Sequence, residues 1–209
     1  MNKLFIIGLP RTGTTSISVE LLGHDFMVAH TAFTKRAFEL ADVVSDAPCF
    51  SDYKELDELF PNSKFVHLDR ALEKWIPSAQ MLLKKMASRL HPKTGVFSPV
   101  LKRSFDEVFH LTSTENPYSR DHLALCYLNH KQQVFDYFHG RDDFLSINLS
   151  DEGSLASLLN FLGIEVKGKT HFPHLNQGRH VAGFKEFKHL NKVNANSAGL
   201  ERRKFFDYK

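Results

Sequence analysis

The sequence predicts an α/β fold in which a mainly parallel β-sheet is flanked by helices, and two observations support this prediction. Short apolar runs that suit buried strands alternate along the chain with segments of helical periodicity. The first strand, at residues 4–7, is a continuous apolar run, as expected for a strand that is covered on both faces. Alternation of this kind is typical of parallel sheets with helical connections.

The predicted elements can be placed in order along the chain. Strands are expected at residues 4–7, 26–29, 64–68 and 144–149. Helices are expected at residues 14–22, 34–43, 52–60, 72–90, 121–138 and 151–162, with one more between residues 99 and 121. Asp52 and Glu55 have the spacing of a capping box, and Gly23 and Gly163 are expected to end helices. Pro77 is expected to bend the fourth helix or to begin a new one.

Size and composition indicate one domain over residues 1–209, with an α/β core at 1–163 and a C-terminal arm at 164–209 that packs on the core. The net charge is only +3 and no long basic run occurs, so a nucleic-acid partner is not expected. No run approaches the length of a membrane span. Cys49 and Cys126 are too few for a disulfide framework, which favours a cytoplasmic protein with reduced thiols.

The glycine-rich turn at residues 8–15 fits the frame GxxxxGx[ST] and lies between a predicted buried strand and a predicted helix, where a phosphate-binding P-loop belongs. Its backbone N–H groups and the helix N-terminus are suited to hold an anion. Thr14 occupies the position of the lysine found in nucleotide hydrolases and kinases, and the cation is supplied by Arg11 instead. Asp69, at the end of a predicted strand, has the position of a magnesium ligand, but the missing lysine argues against metal-dependent phosphoryl transfer.

This loop resembles the 5′-phosphosulfate loop of sulfotransferases that use 3′-phosphoadenosine 5′-phosphosulfate (PAPS). The matching residues are Pro10, Arg11, Thr12, Gly13, Thr14 and Thr15. A second motif agrees, since the run KFVHLDR at residues 64–70, followed by Trp75 and Ser78, resembles the family's 3′-phosphate site. Arg70 and Ser78 keep that family's spacing of eight positions. Residues 144–163 and 172–176 resemble later family segments more weakly.

The resemblance implies a P-loop-type fold and transfer of a sulfuryl group from PAPS to an acceptor hydroxyl, with 3′,5′-adenosine bisphosphate as product and no metal. Arg11 is expected to stabilise the charge on the leaving phosphate, because a guanidinium stays protonated. Two residues compete as the general base. Asp46 resembles an acidic position of bacterial members, and His30 follows the second predicted strand at the edge that carries the site.

Other candidates are weaker. His171, His174 and His180 lack the pattern of a metal site. Trp75 is expected in the core or beside the adenine, and His67 is expected to pack or to point away from the cofactor. A late basic residue is expected to contribute a second phosphate ligand, and the candidates are Arg179, Lys185, Arg202 and Arg203.

The acceptor is not identified by the sequence and is expected to be a small molecule, a carbohydrate or a lipid. Two other functions stay open at this point. A P-loop kinase would bind ATP with Mg²⁺, and a non-catalytic nucleotide-binding relative would keep the loop without turning over substrate.

Overall fold

Five parallel strands form one sheet in the part of the chain that the computed structural model describes, which is residues 3–166, 171–172, 183–202, 204–206 and 208–209. The strand order is β2-β3-β1-β4-β5. The strands are β1 Leu4–Ile6, β2 Val28–Ala29, β3 Val43–Ser45, β4 Lys64–Asp69 and β5 Phe144–Asn148. This confirms the predicted α/β fold with a parallel sheet, and it places the carboxyl ends of β1, β3 and β4 side by side.

Helices cover both faces of this sheet. They are α1 Thr14–Leu22, α2 Lys35–Leu40, α3 Tyr53–Leu59, α4 Leu72–Leu90, α5 Pro99–Phe109, α6 Arg120–Tyr137 and α7 Ser154–Leu162, followed by a short 3₁₀ turn at Phe184–Glu186. Because side chains alternate along a strand, Leu4 and Ile6 of β1 pack with Leu21 of α1, whereas Phe5 packs with Val134 of α6 on the other face. A further apolar cluster joins α4, α5 and α6 beside the sheet.

The strand β3 is missing from the sequence-based prediction. A helix was expected at residues 34–43, but α2 ends at Leu40, and Val43–Ser45 pairs with both β1 and β2. Val43 and Val44 are fully buried, one on each face of the sheet. Burial of two β-branched side chains therefore outweighs the helical periodicity of the preceding residues.

Four residues that were expected to begin, bend or end helices can be compared with the helices observed. The capping box at Asp52 is wrong, because the Asp52 carboxylate accepts hydrogen bonds at 2.9 and 2.6 Å from the guanidinium of Arg103 on α5 rather than from its own helix. Helix α4 continues through Pro77 without a second start. Gly163 and Gly23 end α7 and α1, as predicted, Gly163 in the left-handed conformation and Gly23 in the right-handed one.

The described part of the tail packs against the edge of the sheet. The N–H of Val28 in β2 donates to the carbonyl of Asn191, and the N–H of Val193 donates to the carbonyl of Val28, both at 2.9 Å. Further along, the N–H of Phe206 donates to the carbonyl of Phe33. The division into a core at 1–163 and an arm at 164–209 stays a prediction, since residues 167–170 and 173–182 lie outside the described part.

Candidate active site

The loop that joins β1 to α1 has the backbone geometry of an anion-binding loop. Arg11 and Gly13 have φ angles of +74° and +118°, so the chain passes twice through the left-handed region. Turns of this kind direct neighbouring backbone N–H groups into one concave surface. Gly13 is also the N-cap of α1, which adds the positive end of the helix dipole. The loop therefore offers the fixed donors that a phosphate group requires.

Close packing requires glycine at Gly8, and the positive φ angle requires it at Gly13, which also lies against β5. A Cβ atom at Gly8 would lie 2.5 Å from the Cβ of Leu68 and 2.9 Å from the backbone nitrogen of that residue. A Cβ atom at Gly13 would lie 2.5 Å from the Cδ1 of Leu149, just after β5. The loop is thus pressed against the carboxyl ends of β4 and β5, where ligands bind in sheets of this type.

Two side chains, one from the β4–α4 connection and one from the first turn of α4, hold the loop through its carbonyl groups. Trp75 is fully buried and donates from Nε1 to the carbonyl of Pro10 at 2.9 Å, so of its two predicted positions the core is the observed one. Arg70 donates from Nη1 to the carbonyl of Arg11 at 2.5 Å. With these carbonyls engaged on the protein side, the conformation of the loop is set by buried hydrogen bonds.

The structure brings together Arg11, Arg70 and Ser78. Arg11 donates from Nε to the Oγ of Ser78 at 2.7 Å, while Arg70 contacts the backbone of the same arginine. Burial lowers the pKa of Arg11, the positive charge of Arg70 lowers it further, and Asp46 acts in the opposite direction. Both guanidiniums stay protonated at neutral pH. Two neighbouring positive charges repel each other, and an anion between them would relieve that repulsion.

Asp46 and His30 reach the helix start from the ends of the two strands on the other side of β1. Thr14 donates from Oγ1 to the Oδ2 of Asp46 at 3.2 Å, and the Oδ1 of Asp46 accepts from the N–H of Ala47 at 2.9 Å. The Oγ1 of Thr15 lies 3.1 Å from the Nε2 of His30. Consecutive threonines of α1 therefore contact the two candidate bases.

Burial and nearby charges shift the pKa values of both Asp46 and His30. Burial raises the pKa of Asp46, whereas His30, the hydrogen bond from Thr14 and the positive charge of Arg11 lower it. Burial lowers the pKa of His30, the negative charge of Asp46 raises it, and the positive charge of Lys192 lowers it. Asp46 and His30 therefore interact electrostatically, and each favours the charged form of the other.

Asp69 is committed to a structural network. Its Oδ1 accepts from the hydroxyl of Tyr127 at 2.5 Å, and its Oδ2 accepts from the Nζ of Lys131 at 2.7 Å. Burial alone would raise the pKa of Asp69, but these two hydrogen bonds lower it overall. The N–H of Arg70 donates to the Tyr127 hydroxyl at 2.8 Å, so the network fixes the residue that follows β4. Sequence reasoning missed Tyr127, which no motif marks.

The remaining candidates lie elsewhere. His67 packs in the interior, with its Nδ1 2.9 Å from the Oγ of Ser146. Lys185, Arg202 and His171 are exposed. Outside the described residues lie His174, His180, Arg179 and Arg203. In the described ranges, no three or more His, Cys, Asp or Glu side chains are grouped closely enough to hold a metal ion.

Comparison with known protein families decides the classification. Residues 20–181 match a family model described as a Sulfotransferase domain. The chain belongs to this sulfotransferase family. The match begins inside α1, after the anion-binding loop, so it does not depend on the loop motif. No curated protein matches the chain.

Membership of the sulfotransferase family identifies a transferase of sulfuryl groups, and the fold agrees with it. The P-loop, Arg11 and Thr14 all precede the matched region. In the part of the chain for which side chains are described, no helix is both long and apolar enough to cross a membrane.

Proposed function

We propose that this protein is a PAPS-dependent sulfotransferase that sulfates a hydroxyl group. The observation that carries the proposal is the convergence of Arg11, Arg70 and Ser78 on one loop whose backbone is shaped for an anion. PAPS carries a 5′-phosphosulfate and a 3′-phosphate, and two arginines beside a backbone cradle match such a pair of anions. Family membership supports the sulfuryl chemistry independently.

Different residues of the chain bind the two phosphate groups of the cofactor. In the loop from Pro10 to Thr15, the N–H groups of Arg11, Gly13, Thr14 and Thr15 bind the 5′-phosphate. Thr12 closes the loop instead, since its N–H and its hydroxyl both donate to the carbonyl of Leu9. Arg70 and Ser78 bind the 3′-phosphate. In this assignment the Arg11 side chain lies at the junction, since its Nε bonds Ser78 while its backbone bonds Arg70.

Arg11 is proposed as the main electrostatic catalyst. Bound PAPS supplies the sulfuryl group, and negative charge grows on the phosphate that leaves. Arg11 is held by Ser78 and by the packed loop, so its positive charge is in place before the reaction begins. A guanidinium that never loses its proton acts here as a fixed charge and not as an acid.

Asp46 and His30 are proposed to act together as the general base. Their threonine partners, Thr14 and Thr15, are adjacent residues of α1 next to the loop, so both groups lie beside the proposed phosphosulfate position. A proton that leaves the acceptor hydroxyl is taken up by the pair. The proposed acceptor is a hydroxyl of a small molecule, a carbohydrate or a lipid, and the two free cysteines support a cytoplasmic location.

The structure favours this proposal over a magnesium-dependent kinase. The position of the P-loop lysine is Thr14, and its hydroxyl is directed to Asp46. Asp69, the acid that would hold Mg²⁺, already accepts hydrogen bonds from Tyr127 and Lys131. A non-catalytic binding protein would retain the phosphate contacts but would have no need of an interacting acid and imidazole at the loop.

Binding of nucleotides in the absence of metal tests the donor assignment. Isothermal titration with 3′,5′-adenosine bisphosphate and with 5′-AMP should show about tenfold or greater preference for the bisphosphate, because only it has a 3′-phosphate. Arg70→Ala should remove most of this preference, with a smaller loss of 5′-AMP affinity because Arg70 also donates to the carbonyl of Arg11 in the loop. Equal affinity for the two nucleotides, or tight ATP binding that requires Mg²⁺, would refute the proposal.

Turnover tests the base. Release of 3′,5′-adenosine bisphosphate from PAPS is measured with a panel of hydroxyl acceptors, and Asp46→Asn and His30→Gln are each expected to lower kcat by about 100-fold. The bisphosphate should still bind to both variants with unchanged affinity. A wild-type protein that binds the nucleotide but turns over no acceptor would support the non-catalytic alternative.

A further inference from the structure

The described tail segment 183–193 reaches the acceptor side of the site. Phe184, in the 3₁₀ turn, stacks on the imidazole of His30, with ring centroids 5.1 Å apart and an angle of 22° between the planes. This segment follows the region that matches the family model, which ends at residue 181. Its side chains are therefore contributed by a part of the chain that the family match does not include.

Lys192 holds Phe184 in this position. Its Nζ donates to the carbonyl of Phe184 at 2.6 Å and also to the carbonyl of Phe187, and it lies 4.6 Å from the centre of the Phe184 ring. The two carbonyl hydrogen bonds therefore hold the ammonium group close to the phenyl ring, within the distance of a cation–π contact. The backbone of Lys192 forms a parallel bridge with Val28, two residues before His30.

This pairing gives the tail a fixed register against the strand that carries His30. The hydrogen bonds of Val28 with Asn191 and Val193 place Lys192 directly opposite Val28. Since a shift by one residue would reverse the side chains of the paired residues, the register fixes the side on which the Lys192 side chain lies. Its hydrogen bonds to the carbonyls of Phe184 and Phe187 then connect the paired segment to the turn that stacks on His30. The arrangement is therefore specified by backbone hydrogen bonds and not only by a surface contact.

We propose that Phe184 and Lys192 are positioning residues for the reaction, which orient the His30 imidazole and keep it ready to accept a proton. The inference rests on the proposed role of His30 and adds two residues to it. Phe184 limits the rotation of the imidazole and excludes water from one of its faces. The positive charge of Lys192 disfavours protonation of His30, whereas the negative charge of Asp46 favours it.

The charged and titratable groups around His30 set the sign of the expected effect. Asp46 follows β3, Lys192 comes from the tail, and Arg11 of the loop acts on Asp46. Without the charge of Lys192, the pair binds its proton more tightly. The acid limb of the rate profile, along which the base becomes deprotonated, then moves to higher pH.

The test separates the charge of Lys192 from its hydrogen bonds. Lys192→Gln keeps a donor without the charge and should move the acid limb of kcat/KM upward by about 0.5 pH or more, whereas Lys192→Arg should leave it in place. Phe184→Ala should move it in the same direction, and Phe184→Tyr should restore the wild-type profile. An unchanged acid limb in both Lys192→Gln and Phe184→Ala would overturn the inference.

A measurement that needs no turnover distinguishes this inference from the proposed function. The pKa of His30 is followed by NMR titration of the imidazole C–H signals, with His30→Gln to assign the signal. Lys192→Gln should raise this pKa, and affinity for 3′,5′-adenosine bisphosphate should stay the same. An unchanged His30 pKa refutes the role of Lys192 even if the enzyme is active, whereas a raised pKa in a protein without activity would count against the sulfotransferase proposal alone.

Discussion

The two sides of the proposed site differ in how they are held. On the donor side, Arg11, Arg70 and Ser78 contact a loop that is fixed by buried glycine packing and by Trp75. On the acceptor side, Asp46 and His30 follow short strands, and His30 depends on a tail segment more than 150 positions away in the chain. The donor side uses cations that do not titrate near neutral pH, and the acceptor side uses groups that do.

The two sides are therefore expected to control different properties of the protein. Changes on the donor side should alter nucleotide affinity or turnover at every pH, since a guanidinium keeps its charge. Changes on the acceptor side should alter the pH dependence of turnover and leave nucleotide affinity in place.

Removal of the Arg11 side chain is expected to have the largest effect. Arg11→Ala should lower kcat by about 1000-fold, because a preorganised charge at the leaving phosphate is lost. Arg11→Lys keeps the charge, without the fixed hydrogen bond to Ser78, and should recover part of the activity. Steady-state release of 3′,5′-adenosine bisphosphate measures both variants across pH. Turnover of Arg11→Ala within a few-fold of wild type would contradict the catalytic role of Arg11. A loss of activity confined to low pH would contradict the claim that the donor side acts at every pH.

Acid sensitivity of the fold must be separated from that of the acceptor side. Burial lowers the pKa of His67 to about 3 and that of His130 to about 4, from an ordinary value of 6.5. Both histidines stay neutral in the folded protein and take up protons on unfolding, so stability present above pH 6.5 is lost as the pH falls toward 4. Each contributes about 1.4 kcal/mol per pH unit in this window.

Urea unfolding at pH 7 and pH 5 measures this loss. His67 and His130 should together lower the free energy of unfolding by about 4 kcal/mol between the two, and His130→Gln should remove about 2 kcal/mol of the measured decrease. Carboxyl groups whose pKa is lowered, such as Asp52 and Asp57, lose their contribution only below their ordinary pKa of 3.8. A stability that stays constant from pH 7 to 5 would contradict this account. Rate profiles for the acceptor side are therefore compared with unfolding measured at the same pH values.

The hydroxyl of Tyr127 supports the donor side and provides the smallest predicted effect. Tyr127→Phe removes the acceptor for the N–H of Arg70 and a donor to Asp69, so affinity for 3′,5′-adenosine bisphosphate should fall by about five- to tenfold. Tyr137→Phe is the matched control, because its hydroxyl bonds Asp57 near the other end of the same helix. Equal affinities in the two variants, or a shifted pH profile in Tyr127→Phe, would contradict the separation of the two sides.

Much of the donor side was predictable because its signals are local. The loop at residues 8–15 is one continuous frame, and Arg70 and Ser78 lie eight positions apart on a strand end and the following helix. The structure places these residues together, with Arg11 between Arg70 and Ser78. The strand β3 was not predicted, since three residues that follow a helical pattern give little periodicity, and the pairing with β1 and β2 is made by distant segments.

The sequence by itself determined the α/β architecture and the turn between β1 and α1 that is proposed to bind an anion, because apolar periodicity and glycine positions act within a few neighbouring residues. Only the tertiary structure decided that Thr14 meets Asp46, that Tyr127 holds the end of β4, and that Phe184 stacks on His30. These contacts depend on which strand ends lie side by side and on the register of the tail, and both are set by burial and backbone hydrogen bonds between segments far apart in the chain.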